Sequence, residues 1–298
     1  IYTLSLHDAL PIWISKILCK RAQFNESMKL LDSVFKIRKQ YLGENHPDLA
    51  DSSFVRGNLF YQIGHFQEAL DCYMSSHEIY KSVFGHNHPK VADTWLNISN
   101  TYSILGKEND ASIAADKSIA IRKAIFGEDH HFLAPDYNNL AVVQFRKGQF
   151  AKAYKNAEKS RDICIKFLGE EFPEIALTYN TIGHIASLQG KHDEAEECYM
   201  KALTLHRKHF DEDHPYVITS HLNISSLLRL QKKWKESLYH TLMAIRLNVR
   251  RCKKYNQEAH PNQTAAYFSF GINLREKKDL QNAMSTFKKA YVDRKSVV

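Results

Sequence analysis

Residues 85–126 read GHNHPKVADTWLNISNTYSILGKENDASIAADKSIAIRKAIF, and this stretch decides the fold. His88-Pro89 opens a first helix, because proline suits the first helical turn, where its missing N–H costs nothing. Val91, Thr94, Trp95, Ile98 and Tyr102 follow at helical spacing and form one apolar stripe. Gly106 is expected to end that helix as a left-handed C-cap. Asn109-Asp110 is expected to cap a second helix, with Ala111, Ile113–Ala115, Ile119 and Ile121 carrying its apolar face to Phe126. Gly127 closes the segment, and Asp129-His130 begins another of the same kind. The segment is therefore two antiparallel helices joined by a short turn.

The pattern recurs every 42 residues in both directions. Gly43, Gly85, Gly127 and Gly169 form one series, continued by Asp211. Gly64, Gly106, Gly148 and Gly190 form a second, continued by Lys232, and Ala69, Ala111, Ala153 and Ala195 form a third, continued by Ser237. Three series with one period mean stacked repeats, each burying its apolar face against its neighbours. Strand-like alternation is absent, so the expected class is all-α. The register predicts seven repeats, over 13–42, 47–84, 89–126, 131–168, 173–210, 215–254 and 261–292. The last step, Pro215 to Pro261, is 46 residues rather than 42. Its four extra residues fall near Arg250–Glu258, beside the basic cluster Arg250, Arg251, Lys253 and Lys254, and a lengthened helix end or loop accounts for them.

The two ends read differently. His7–Ile12 back-translates to CAC GAC GCT CTT CCG ATC, which resembles a sequencing-library adaptor, and the reverse complement of that DNA encodes the last six residues, DRKSVV. Residues 1–12 and 293–298 are accordingly expected to be adaptor-derived and not native, which would make 13–292 an internal piece of a longer protein. The net charge of +8 permits acidic partners without naming one. No apolar run approaches the roughly 20 residues needed to span a bilayer. Five scattered cysteines without a CxxC pair argue against a disulfide framework or a zinc site, and a reduced, cytoplasmic setting is the expectation.

At this point the motifs carry a resemblance. Gly64/Phe66/Ala69, Gly148/Phe150/Ala153 and Gly190/His192/Ala195 resemble the core of a tetratricopeptide (TPR) repeat. Twelve positions before the alanine or serine site stands a small residue, Gly57, Ser99, Ala141, Gly183, Ser225 or Gly271, as needed where two helices approach closely. The linker G-x-x-H-P-x-[VL]-A at Gly43–Ala50 and Gly85–Ala92, with DYNNLA at 136–141, is similar to the kinesin-light-chain type of repeat. The resemblance covers Trp13 to Val292 and implies a right-handed α-α superhelix, a TPR solenoid, whose first helices line a concave groove. It implies a non-catalytic scaffold for protein or peptide ligands, of the cargo-adaptor type. The alternative is the repeat arm of a larger sensor, nephrocystin-like or a nucleotide switch, whose other domains lie outside this chain.

Catalytic residues, cofactors and metal ligands are not expected. No nucleophile elbow, Walker loop, dinucleotide fingerprint or HExxH helix is present. His46, His88, His130 and His214 recur with the period before each first helix, where capping or packing is their expected role, and Phe172 replaces the histidine once. The sequons at Asn97 and Asn223 fall inside predicted helices. Groove candidates are Asn58, Tyr61, Asn97, Asn100, Asn138, Asn139, Arg146, Asn180, His184, Asn223, Arg229 and Arg275. An asparagine offers both a donor and an acceptor, so it can grip a peptide backbone, or equally bond between neighbouring helices and stabilise the stack. The two-lysine carboxylate clamp of chaperone-binding relatives is absent: its positions hold Phe54, Leu96, Asn138, Asn180, Leu222 and Phe268, and Asp51, Asp93, Pro135, Leu177, Thr219 and Ala265. Nucleic acid is not expected as a partner, because the basic cluster is local.

Overall fold

The computed structural model describes residues 24–255 and 261–276, with the single positions 282 and 285. Both adaptor-like ends and most of the seventh repeat's second half lie outside the described residues. Among these residues there is no strand. The helices are α1 (Phe24–Leu42), α2 (Pro47–Ile63), α3 (Phe66–Phe84), α4 (Pro89–Ile104), α5 (Glu108–Phe126), α6 (Ala134–Arg146), α7 (Phe150–Leu168), α8 (Ile175–Leu188), α9 (His192–His209), α10 (Pro215–Leu230), α11 (Trp234–Tyr255) and α12 (Pro261–Glu276), with a 3-10 turn (His131–Leu133) before α6. Even-numbered helices are the first helices of their repeats. The chain divides into two compact units, one ending at Ile163 and one beginning at Cys164, so the boundary lies within α7.

The linker histidines set where first helices begin. Nδ1 of His46, His88, His130 and His214 accepts the backbone N–H two residues on, at 3.2, 3.2, 3.3 and 3.2 Å. Each of the last three also stacks on a phenylalanine four residues back, at or just past the end of the preceding helix: Phe84, Phe126 or Phe210, with centroids 4.2, 4.9 and 4.3 Å apart. Phe172 has no ring nitrogen to offer. There the chain makes turns over 171–174, and α8 starts at Ile175, two residues later than the Pro173 position predicts.

The glycine between the helices of a repeat adopts a left-handed backbone, as at Gly190 (φ +76°). Lys232 takes the same conformation at φ +61° without being glycine. One expectation is corrected here. The second helix of the 85–126 repeat begins at Glu108 with Lys107 as N-cap and no side-chain cap, and Asn109 instead accepts from Lys147 Nζ at 3.0 Å. The tight left-handed turn at Gly106 starts α5 early and leaves Asn109-Asp110 inside it.

Close approach within each repeat is written in small residues. Ala69, Ala111, Ala153, Ala195 and Ser237 are fully buried. Ser76, Ser118 and Ser160, one period apart on second helices, donate to the carbonyls of Ala50, Ala92 and Ala134 at 3.0, 2.8 and 2.7 Å. Each such buried bond contributes about 1 kcal/mol net. The predicted lengthening near Arg250 is a longer helix: α11 runs for 22 residues. It also disperses the basic cluster, for Arg251 is buried while Lys254 pairs with Asp211 and Asp213.

Candidate functional site

The candidate residues sit on first helices, and packing of the second helix behind them decides how each is held. In the N-terminal unit, Asn58 and Tyr61 lie on α2. Asn58 Oδ1 accepts from the Tyr73 hydroxyl at 2.8 Å. Tyr61 is half-buried with its ring edge-on to Phe66, and burial raises its pKa while the nearby Arg146 charge opposes that rise. On α4, Asn97 turns its amide back onto its own helix, donating to the Asp93 carbonyl at 2.9 Å, and Asn100 is half-buried. On α6, Arg146 is exposed and donates to the Ser103 carbonyl of the preceding repeat at 3.2 Å. Asn139 is only 4% exposed, and neither of its amide atoms has a partner; Asn138 Oδ1 is likewise buried and unbonded.

In the C-terminal unit, Asn180 on α8 and Asn223 on α10 bond to each other, Nδ2 of Asn223 donating to Oδ1 of Asn180 at 3.1 Å. For this pair the inter-helix role holds. His184 on α8 keeps an open edge, yet the protein around it withdraws water and lowers its pKa. Its Nδ1 lies 3.0 Å from the Tyr199 hydroxyl, with the two rings edge-on. Arg229 is half-buried on α10, and Arg275 falls on α12, where its side chain lies outside the described residues. Leu177 and Phe268 are exposed and Leu222 is half-buried at neighbouring first-helix positions. These apolar side chains stand at the positions where a carboxylate clamp needs lysines.

Sequence reasoning missed a ladder of buried polar contacts linking the second helix of one repeat to the first helix of the next. Arg38 Nη1 reaches Ser52 Oγ at 3.0 Å, and Arg122, two periods further along, binds both Asp136 and Asp93. His206 Nδ1 meets Ser220 Oγ at 2.8 Å. Partner and donor are always 14 residues apart for Arg38–Ser52, Arg122–Asp136 and His206–Ser220. The signal was present as polar residues at one periodic position, but their chemistry changes from repeat to repeat and hides it. A further pair, His221 and His240, faces Nδ1 to Nδ1 at 2.9 Å. Among the described residues no group of three or more His, Cys, Asp or Glu side chains is placed to hold a metal ion, and no helix is long and apolar enough to cross a membrane.

Paired helices on a 42-residue period, small residues at the crossing and glycine turns define a helical-repeat interaction protein. The tetratricopeptide repeat model matches residues 9–82, 66–124, 137–208 and 174–248, and the chain belongs to this family. No curated relative matches it. Among solved structures it is similar to BtubC (BKLC) from P. vanneervenii, at 16% identity and TM-score 0.59 over 79% of this chain and 91% of that one. It is similar to the TPR-like repeats of a kinesin light chain from Podosopora anserina, at 18% identity and TM-score 0.51, covering 70% and 98%. It is also similar to the Rap conjugation gene regulator of the plasmid pLS20 in complex with the Phr* peptide, at 13% identity and TM-score 0.74, covering 98% and 74%. At these identities the likeness is one of fold.

Proposed function

We propose that this protein is a non-catalytic scaffold that binds peptide segments of partner proteins along the first-helix faces, as a cargo-adaptor-type repeat array. The observation that carries the reading is the amide cluster on α6. Asn138 Oδ1 and both amide atoms of Asn139 are withdrawn from water without a bond in return. An unsatisfied buried polar group costs about 1–3 kcal/mol, so a role in the folded chain alone does not explain it. The amides are closed to solvent in this structure, so a peptide reaches them when the Asn138 and Asn139 side chains turn outward, and its backbone then supplies the missing donor and acceptor together. The exposed Leu177 and Phe268 add apolar contact in the C-terminal unit. A second reading, the repeat arm of a peptide-responsive regulator, draws support from the likeness to the Rap regulator, whose structure holds a peptide. Both readings share peptide binding and differ in what lies outside this chain.

The test is capture on an array of random 12-residue peptides by wild type and by Asn139→Ala. The expected result is weakened capture at unchanged or raised melting temperature, because no bond of the folded chain is lost. Asn223→Ala is the contrast: it breaks the bond to Asn180 and should cost about 1 kcal/mol of stability. Unchanged capture by Asn139→Ala would remove the amide cluster from the site, and absence of any capture by wild type would end the peptide-binding reading.

A further inference from the structure

We infer that Asn58 and His184 are a matched pair of ligand-reading residues, each locked by a buried tyrosine so that it presents an N–H donor, and that they select peptides carrying a side-chain oxygen acceptor, Asp, Glu, Asn or Gln, at the position that meets them. The inference rests on the peptide-binding reading above and adds the chemistry of the ligand.

The two residues stand at the same point of the repeat, three periods apart, and so do everything that holds them: Gly57 and Gly183, Cys72 and Cys198, Tyr73 and Tyr199. In both repeats the glycine opens a slot between the two helices, and the tyrosine ring fills it. A Cβ at Gly57 would lie 2.7 Å from Tyr73 Cε1, and one at Gly183 would lie 2.7 Å from Tyr199 Cε1, well inside van der Waals contact. Each ring, only 1–2% exposed, therefore lies against the glycine with its hydroxyl meeting a side chain of the first helix.

That hydroxyl has one proton and one neighbour. Tyr73 Oη lies 2.8 Å from Asn58 Oδ1 and Tyr199 Oη lies 3.0 Å from His184 Nδ1. Burial raises both tyrosine pKa values, so each phenol keeps a proton to give; Tyr73 donates to Asn58 Oδ1, and we assign the same direction to Tyr199 and His184 Nδ1. Donation to Oδ1 fixes the amide of Asn58 and turns its Nδ2–H2 outward. Donation to Nδ1 requires that nitrogen to be bare. Desolvation keeps the His184 ring neutral, and its single proton sits on Nε2, also facing outward. His184 is exposed and Asn58 half-buried on the first-helix face, so a ligand can reach both side chains.

The other described repeats lack the device. The tyrosine position becomes Ala115, Ala157 and Thr241, and the small position becomes Ser99, Ala141 and Ser225. Their face residues at the same register, Asn100, Val142 and Ser226, have no ring behind them. Each unit thus has one held donor. Nearby groups agree in sign: Arg146 is exposed on the N-terminal unit's face, and Asn180, having accepted from Asn223, is left with its own Nδ2 to donate. The acids on that face are occupied, Asp51 by Lys90 and Tyr80 and Asp93 by Arg122. A side chain already held in its binding rotamer also loses less entropy when a ligand arrives.

The first measurement is the 15N spectrum of the histidine-labelled full chain at pH 7.5, with His184 assigned by its loss in His184→Gln. Nε2–H is expected for His184, and the Nδ1–H tautomer would overturn the inference. The second is the same 12-residue peptide array, read for sequence preference. Wild type should enrich acceptor side chains at fixed ligand positions. Asn58→Asp keeps the Tyr73 bond but turns an acceptor outward. It should lower retention of the Asp- and Glu-containing peptides held by the N-terminal unit at least tenfold and enrich Lys and Arg in their place; His184→Glu should do the same for peptides held by the C-terminal unit. Tyr73→Phe, which keeps the ring in its slot, should flatten the preference rather than reverse it. Capture with an unchanged preference in Asn58→Asp and His184→Glu overturns the inference and leaves peptide binding standing. No capture by folded wild type overturns both.

Discussion

Acid should loosen the C-terminal unit through His206. The ring is 1% exposed and Nδ1 is bonded to Ser220 Oγ at 2.8 Å. Tyr216 stacks on it at 5.2 Å, Phe210 lies against its edge, and His214 stands close by. Burial, then the neighbouring His214, lower the pKa from 6.5 to about 4. The folded pKa is the depressed one, so the unfolded chain takes up the proton first. Stability is full above pH 6.5 and falls as pH drops through the window down to about 4. Between pH 7.5 and pH 5 the linkage amounts to about 2 kcal/mol, and below pH 4 to about 3 kcal/mol. Repeat arrays open in steps, so a local readout is needed. Native-state hydrogen exchange over α9 and α10, compared between wild type and His206→Gln, isolates this one group; His221 and the carboxylates are common to both proteins and cancel. Wild type should lose about 2 kcal/mol more opening free energy than His206→Gln from pH 7.5 to pH 5. Parallel pH profiles for the two proteins would refute the reasoning.

Three further outcomes are expected. Lys232→Gly should raise stability by about 0.5–1 kcal/mol in thermal or urea melts, because the φ of +61° strains any side-chain-bearing residue there. Gly183→Ala should cost about 1–3 kcal/mol, since its Cβ meets the Tyr199 ring at 2.7 Å, and a Gly183→Ala, Tyr199→Leu double variant should recover part of the loss in a double-mutant cycle. Asp136→Ala should cost about 2–3 kcal/mol by urea unfolding, because it removes the buried carboxylate from Arg122 and leaves that guanidinium only Asp93 and the Phe132 carbonyl, whereas Asp93→Ala, on the half-exposed partner, should cost under about 1 kcal/mol.

Helix placement was legible because its causes are local. His88-Pro89 ends one linker and starts one helix through a bond two residues long, and the turn glycines act through their own backbone. The exceptions are local too: after Phe172 the helix starts at Ile175, and after His130, where histidine stands in place of proline at 131, a 3-10 turn delays it to Ala134. The groove candidates were legible as positions but not as states. Asn97, Asn139 and Asn223 share one register, yet one bonds its own helix, one bonds nothing and one bonds Asn180. What differs is the residue opposite each of them, contributed by another part of the chain.

By itself the sequence determined the period, the two helices of each repeat, the turns between them, and the small residues at their crossing. All of these act over one or two turns of helix, and periodicity repeats them until they are unmistakable. Only the tertiary structure decided which polar groups are satisfied and which way they point. The Arg122–Asp136 pair, the orphaned amide of Asn139 and the tyrosines behind Asn58 and His184 join residues 14 or more positions apart, or fail to. A hydrogen bond depends on a few tenths of an ångström and on a rotamer, and a 42-residue spacing specifies neither.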